Sequence, residues 1–214
     1  MPPAWRAVAL TALVLISTRA AAGQPLPVAA EGSPFYQPTP ELMKKLERHH
    51  VVLTESEPAS GDSRVGIVEA LVLFDQPRET VMRMLIETDR QIEYRPELKN
   101  LQVIESDDHS TKAEYHLSLM LVTVAYRARQ EWDTEAGRVW WSLDPEFPNG
   151  IRRLDGLWEL RELDENHTLG HFSSRIDLGS ALPAWLQDYA TRKKLPESME
   201  HVAHWVDSGG RWRP

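Results

Sequence analysis

Short segments rich in Val, Ile, Leu and aromatic residues recur between residues 64 and 178, and turn residues separate them. Segments of this length and composition are typical of β-strands. The stretch from 113 to 133 is too long for one strand, so we expect it to fold as a hairpin near residues 120–123. The pattern predicts strands over residues 64–74, 101–105, 113–133, 138–143, 153–163 and 167–178.

Two helical patterns flank this run of strands. Pro77 suits the first turn of a helix, because its missing N–H would have no partner there, and Asp75 or Gln76 is expected to cap that helix. A longer pattern covers residues 183–206, and Pro196 should kink or divide it. Since the strands follow one another and the helices stand apart, the predicted fold class is α+β. Apolar residues recur at helical spacing in both patterns, at Val81, Met84 and Leu85 and then at Trp185, Leu186, Tyr189, Leu195, Met199, Val202 and Val206.

Alternation along the strands predicts which side chains share a face of the sheet. Asp155 and Glu159 belong to the charged set, which we expect to point into water. Trp140 and Trp205 fall outside the apolar set and are expected at the surface. We predict a curved sheet whose apolar face is covered by the terminal helix. That face carries Tyr115, Leu117, Leu119, Tyr126, Ala128, Gln130, Trp132, Val139, Trp141, Leu143, Leu154, Gly156, Trp158, Leu160, Phe172, Ser174 and Ile176.

The first 22 residues have the pattern of a secretory signal peptide. Arg6 supplies a positive charge, residues 7–16 form a short apolar run, and Ala20-Ala21-Ala22 supplies the small residues of a cleavage site. The run is too short to cross a bilayer of ~30 Å as a helix. We therefore expect cleavage after Ala22 and a periplasmic or secreted protein. An uncleaved membrane anchor is the alternative.

The rest of the chain divides into three parts. Residues 23–63 are predicted to be a leader, with a short helix over 40–48 and an edge strand. Residues 64–208 form the main domain, and residues 209–214 are predicted to be a flexible tail. No later segment is apolar enough for a membrane span, so we expect a soluble domain.

Composition narrows the classes of function. The formal net charge is −8 and no basic stripe is present, which argues against nucleic acid as a partner. The chain has no cysteine, so thiolate catalysis, thiolate metal sites and disulfides are excluded. An exported domain of this kind depends on its apolar core for stability.

Candidate chemistry is sparse. The sequence lacks a nucleophile elbow, a P-loop and a dinucleotide-binding glycine motif. His201 and His204 are three residues apart, but they are predicted to lie on the solvated side of the terminal helix, which argues against a metal site. No carboxylate or histidine is expected to point inward as a general base, so the residues favour binding over catalysis. We predict no catalytic residues and no cofactor.

Four local features occur in an order that resembles the START-like superfamily, also known as SRPBCC or Bet v 1-like. They are Phe74-Asp75-Gln76-Pro77, Tyr94-Arg95-Pro96, Gly156-Leu157-Trp158, and Leu182-Pro183-Ala184-Trp185 leading into Lys193-Lys194-Leu195-Pro196. The resemblance covers residues 64–208 and suggests an exported bacterial member. It implies a helix-grip fold, in which a curved antiparallel sheet wraps around a long C-terminal helix. It also implies an apolar cavity for a lipid, sterol, quinone or polyketide.

The function we expect is that of a monomeric periplasmic carrier of an apolar small molecule. A transient contact with a membrane or an envelope protein is compatible with that role. Two alternatives stay open, namely a cyclase or aromatase on the same fold and an envelope adaptor without a ligand. The predicted cavity lining is Tyr94, Tyr115, Leu117, Leu119, Tyr126, Gln130, Trp132, Trp141, Trp158, Phe172, Ser174, Ile176, Trp185, Tyr189, Met199 and Val202.

Overall fold

A computed structural model describes residues 36–54, 66–120, 122–179, 185, 189 and 193–214. The predicted signal peptide and most of the leader lie outside these residues. The helices of the described part are α1 (Pro40–His49), α2 (Arg78–Ile86), a 3₁₀ helix (Thr88–Glu93) and α3 (Leu195–Asp207). Its strands are β1 (Val51–Thr54), β2 (Gly66–Phe74), β3 (Leu98–Ser106), β4 (Ser110–Leu119), β5 (Val122–Asp133), β6 (Arg138–Leu143), β7 (Arg153–Asp164) and β8 (His167–Asp177).

The eight strands form one antiparallel sheet in the order β1-β2-β8-β7-β6-β5-β4-β3. From β3 to β8 each strand pairs with the next one along the chain. The sheet is curved, and α3 packs against β1 and β2. The predicted α+β class and helix-grip architecture are therefore confirmed.

The strands match the predicted segments closely. β6 has the predicted bounds, and the hairpin between β4 and β5 turns at Met120, whose φ of 55° is in the left-handed region. β3 begins three residues earlier than predicted, at Leu98. The predicted edge strand exists as β1, which pairs with β2. Helix α1 and β1 therefore belong to the folded unit, which begins well before residue 64.

Helix α2 begins at Arg78, so Pro77 is its N-cap and not part of its first turn as predicted, and no side chain caps it. The expected cap by Asp75 or Gln76 was wrong. The backbone N–H of Asp75 instead donates to Oδ1 of Asp207 at 2.9 Å, and Nε2 of Gln76 donates to the Asp207 carbonyl at 3.2 Å. These residues join the end of β2 to the end of α3.

The terminal helix is described from Leu195, with Pro196 in its first turn. Proline is tolerated there because the N–H it lacks would have no acceptor within the helix. Trp185 and Tyr189 are also helical. The other predicted helical residues before 193 lie outside the described part. No helix in the described part of the chain has the length and hydropathy to cross a membrane.

The inner face of the sheet is apolar and covered, as alternation predicted. Tyr126, Ala128, Gln130 and Trp132 on β5 are all buried. The largest hydrophobic cluster joins this face to α2 and α3, through residues such as Val81 and Val202. A second cluster around Tyr115 and Leu119 fills the other end of the sheet.

The outer face is not uniformly solvated, and the expectation that Asp155 and Glu159 would point into water was wrong. Both residues are only 4% exposed. Leu46 of α1 packs on Leu71 and Leu169 of the outer face. Alternation shows which residues share a face, but it does not show that a helix more than a hundred residues away along the chain covers that face.

Trp205 was expected at the surface and is fully buried. Its Nε1 donates to Oε2 of Glu93 at 3.0 Å, and its ring lies 4.8 Å from that of Tyr94. The predicted flexible tail also makes contacts, since Trp212 packs near His201 and Arg213 donates to Glu93 at 2.8 Å. The 3₁₀ helix covers this side of α3, and the sequence pattern gave no sign of it.

Candidate functional site

A cavity of about 140 Å³ lies between the inner face of the sheet and α3. We call it the main cavity. It separates the two hydrophobic clusters of the inner face. Its lining comprises Leu85, Gln91, Tyr94, Arg95, Tyr115, Tyr126, Ala128, Gln130, Val139, Trp141, Leu154, Trp158, Phe172, Ser174, Ile176, Leu195, Ser198, Met199 and Val202.

Aromatic rings form the apolar wall of the main cavity. The rings of Trp141 and Phe172 stack with centroids 5.6 Å apart, and Trp158 meets Phe172 edge-on at 5.0 Å. These side chains come from neighbouring strands β6, β7 and β8. Aromatic pairs in such arrangements stabilise beyond their buried area.

Arg95 gives the main cavity a charged corner. A quarter of its side-chain surface is exposed. Its Nη1 donates to Oε1 of Gln91 at 3.3 Å, and its Nε lies 3.4 Å from Oε1 of Glu97. Burial by itself would lower the pKa of Arg95, but nearby Tyr126 and Glu97 raise it above its ordinary value. The guanidinium is therefore charged at every physiological pH.

A chain of amides fixes this corner. Nε2 of Gln130 donates to the Leu85 carbonyl at 3.1 Å, and Nε2 of Gln91 donates to Oε1 of Gln130 at 3.2 Å. Gln91 then accepts from Arg95 through its own Oε1. Each amide in the chain both donates and accepts, so the guanidinium is held from one side by groups that are themselves fixed.

Three tyrosines surround the guanidinium. Burial raises the pKa of Tyr94 to about 12, and it also raises the pKa values of Tyr115 and Tyr126. The rings of Tyr115 and Tyr126 stack with centroids 4.9 Å apart. At neutral pH all three phenols are protonated, so they can donate hydrogen bonds to a ligand but cannot serve as bases.

A second cavity of about 80 Å³ adjoins the first. Arg95, Tyr126 and Ser198 line both cavities. Glu97 lines the second one and accepts from Oγ of Ser198 at 3.1 Å. The charged corner therefore lies between two apolar spaces.

No family model matches the sequence, and no curated protein matches it. Solved structures do match. The Zhui aromatase/cyclase of Streptomyces sp. R1128 has a TM-score of 0.60 at 13% identity, over 69% of this chain and 96% of that one. A START superfamily protein of Mycobacterium smegmatis has a TM-score of 0.56 at 10% identity, over 66% and 97%.

A STAR-related lipid transfer protein of Xanthomonas axonopodis has a TM-score of 0.55 at 13% identity, over 76% of this chain and 99% of that one. These matches span nearly the whole of the neighbouring structures. The chain has the START-like, or helix-grip, fold. At these identities the likeness concerns the fold alone.

Most residues predicted to line the helix-grip cavity do lie around the main cavity. Leu117 and Leu119 line the second cavity instead. Trp132 lines neither, and its Nε1 donates to the Asp108 carbonyl at 3.1 Å. Trp185 is 56% exposed, which differs from the inward position that helical spacing predicted. Tyr189 packs against the second hydrophobic cluster but lines neither cavity among the described contacts.

Sequence reasoning missed the charged corner of this helix-grip cavity. The sequence pattern places Arg95 only in the Tyr94-Arg95-Pro96 feature ahead of the next strand, and it predicts no role for Gln91 or Glu97. The expectation that no carboxylate would point inward was wrong, because Glu97 lines the second cavity. The 3₁₀ helix and the turn after it have no strand periodicity, so alternation could not assign a face there.

Proposed function

We propose that this protein binds a small, largely apolar molecule whose polar or anionic group faces Arg95. The main support is the position of the charged guanidinium in the wall of a cavity lined mainly by aromatic and aliphatic side chains. Ligand sites commonly combine an apolar lining with a few placed polar groups. An anionic group is favoured because the guanidinium donates in a fixed fork that matches carboxylates.

The size of the ligand follows from the volumes of the two cavities. The main cavity, at about 140 Å³, is close to the ~150 Å³ engineered cavity that holds benzene. It is smaller than the ~500 Å³ we would expect for a lipid. A ring or a short chain fits the main cavity, and a longer molecule would pass Arg95 into the second cavity or move α3 outward.

Binding is favoured over catalysis by the protonation states around the cavity. The three phenols stay protonated and Arg95 stays charged, so these four groups supply donors and no general base. Glu97 is engaged by Ser198 and lies close to Arg95, so its role is to position the guanidinium. A carrier or sensor of an apolar compound needs nothing more.

An aromatase or cyclase is the second candidate. It is supported by the likeness in fold to the Zhui aromatase/cyclase, together with the three phenols beside a guanidinium. Such donors could polarise the carbonyl of a bound polyketide. Incubation with candidate ligands followed by mass analysis separates the two functions, since a carrier returns each compound unchanged.

We also propose that the protein is exported and acts in the periplasm or outside the cell. The support is the pattern of the first 22 residues, with an apolar run ahead of Ala20-Ala21-Ala22. N-terminal sequencing of protein from fractionated cells tests this. A mature chain starting at Gly23 is expected, whereas intact Met1 in the membrane fraction would contradict it.

Matched ligands test the ligand proposal directly. Aromatic carboxylic acids and fatty acids would be compared with their methyl esters, and with sterols and quinones, by thermal shift and calorimetry. The wild type should bind an acid about 10–100-fold more tightly than its ester, the value of a hydrogen bond to a charged group. The Arg95→Gln variant should lose that preference. Arg83→Gln changes an exposed arginine of α2 and should keep it.

Two results would overturn the proposal. If no compound shifts the melting temperature, the function of an envelope adaptor without a ligand explains the protein better. If acids and esters bind equally well to the wild type, Arg95 does not meet the polar group.

A further inference from the structure

Four side chains from four distant segments converge at one end of the molecule, away from both cavities. His50 follows α1, Asp75 follows β2, His167 begins β8 and Asp207 ends α3. Donor atoms of His50, Asp75 and Asp207 all lie within 4.8 Å of one another. Nε2 of His167 lies 3.9 Å from Oδ1 of Asp75, and Nδ1 of His50 lies 4.0 Å from the same oxygen.

These two separations are informative because they exceed the range of a hydrogen bond, ~2.7–3.2 Å. Two imidazole nitrogens therefore face one carboxylate oxygen without bonding to it. Two ligands of one tetrahedral zinc ion lie about 3.4 Å apart, given metal–ligand distances of ~2.0–2.2 Å. These two pairs would each contract by about 0.5 Å on binding the ion, and His167 would also move toward His50 and Asp207, since of the four residues only His50, Asp75 and Asp207 have ligand atoms that all lie within 4.8 Å of one another. His50 and Asp75 are 42% and 52% exposed, so their side chains have room to move.

The orientation of His167 is a second, independent observation. Its Nδ1 lies 2.8 and 2.9 Å from the two carboxylate oxygens of Asp164, and this contact turns Nε2 toward Asp75. A carboxylate on the far nitrogen is the usual support of a metal-binding histidine. It fixes the ring and makes the ligating nitrogen more basic.

The charge at this end of the molecule also favours a cation. Asp75, Asp164 and Asp207 contribute three carboxylates, and within the described residues no lysine or arginine is paired with any of them. Asp207 is the last residue of α3, where the helix dipole places partial negative charge. Oδ1 of Asp207 accepts from the Asp75 backbone, and its second oxygen points to no described donor.

We propose that His50, Asp75, His167 and Asp207 form a divalent transition-metal site, with Zn²⁺ as its preferred ion. Two imidazoles and two carboxylates are a donor set that suits zinc, whereas Mg²⁺ and Ca²⁺ take oxygen ligands alone. The ion would connect α1, β2, β8 and α3. Because α3 also lines the main cavity through Met199 and Val202, the ion would fix the end of that helix relative to the sheet.

Zinc titration of the full chain, stripped of metal with EDTA, tests the site. At free Zn²⁺ one hundred times the dissociation constant, the melting temperature should rise by about 5–10 °C. His50→Asn and Asp75→Asn should abolish the rise. Asparagine tolerates the left-handed backbone of His50, so that variant should fold. His49→Asn is the matched control, because His49 is exposed and adjacent, and it should respond as the wild type does.

Cobalt provides a readout that does not depend on stability. Co²⁺ bound to two histidines and two carboxylates should give visible d–d absorption that His167→Gln weakens and Zn²⁺ displaces. An equal Zn²⁺ shift in the wild type and in His50→Asn would overturn the site, as would no binding of Zn²⁺ or Co²⁺ at 100 times the protein concentration. Far-ultraviolet circular dichroism of each metal-free variant checks that it is folded.

Discussion

The indole of Trp141 on β6 lies directly against the backbone of Gly156, its partner on β7. A Cβ at position 156 would overlap the indole ring and would lie 2.7 Å from the carbonyl oxygen of Ser173. Only glycine leaves space for the ring in this position. The glycine therefore sets where one aromatic wall of the main cavity stands.

Gly156→Ala should destabilise the protein by ~1–3 kcal/mol, because the new methyl group forces Trp141 toward the main cavity. Urea unfolding measures this cost. The same substitution in a Trp141→Leu background should cost at least ~0.5 kcal/mol less, since most of the overlap is then relieved. Equal costs in the two backgrounds would mean that the indole does not press on residue 156.

Trp158→Ala and Trp205→Ala should each cost ~3–5 kcal/mol, because both rings are buried. Trp140→Ala is the matched control. Trp140 lies on the outer face, partly exposed, with its Nε1 bonded to Glu131 at 3.1 Å, so its loss should cost less than ~1.5 kcal/mol. The denaturant midpoints of the three variants measure these stability costs. If Trp205→Ala lowered the stability as little as Trp140→Ala does, the buried position of Trp205 would be contradicted.

Glu159→Gln should destabilise the protein at pH 7 by ~2–3 kcal/mol. The side-chain hydrogen bond from His171 and the charge of Arg138 lower the pKa of Glu159 below its ordinary value. A lowered pKa means that the folded state favours the ionised form, so this stability is present above the unfolded value of ~4.3 and is lost as the pH falls through the folded value. The difference between wild type and variant should therefore persist at pH 5–7 and shrink below about pH 4.

Glu162→Gln is the control for this experiment. Glu162 lies on the same strand and is exposed, so its substitution should leave stability unchanged at every pH. If the wild type and Glu159→Gln differ by the same amount at pH 3 and pH 7, the carboxylate of Glu159 is not the group responsible.

Gln130→Met should cost ~1–3 kcal/mol, because the Leu85 carbonyl and the Gln91 amide both lose their partners in a buried site. The same variant should weaken the preference for acids over esters, since Arg95 is then less firmly held. Thermal unfolding and ligand titration together measure both effects. A loss of stability with the ligand preference intact would show that the amide chain supports the fold and not the guanidinium.

The strands and the choice of inner face could be predicted because they depend on local, period-two patterns. Tyr126, Gln130 and Trp158 were assigned to the interior by alternation alone, and each is buried. The turn at residue 120 followed from the length of the segment. Pro196 was expected to kink or divide the terminal helix, and the structure places it in the first turn of α3, which begins at Leu195.

The same reasoning failed wherever burial depends on a distant part of the chain. Trp205 lies off the apolar stripe of α3. It is buried because the 3₁₀ helix and the C-terminal residues pack around its ring. Glu159 lies on the charged face of β7, where Arg138 and His171 pair with it and Tyr36, from more than a hundred residues away, stacks on His171.

Local patterns were sufficient to predict an α+β fold with one apolar sheet face, because the face that a strand residue takes depends only on its place in the alternation. The volume of the cavity, the inward position of Arg95 and the contact between Asp75 and Asp207 depend instead on the packing of distant elements. Those two aspartates are 132 residues apart along the chain. Contacts between residues so far apart along the chain depend on how whole helices and strands pack, and a local sequence pattern does not predict them.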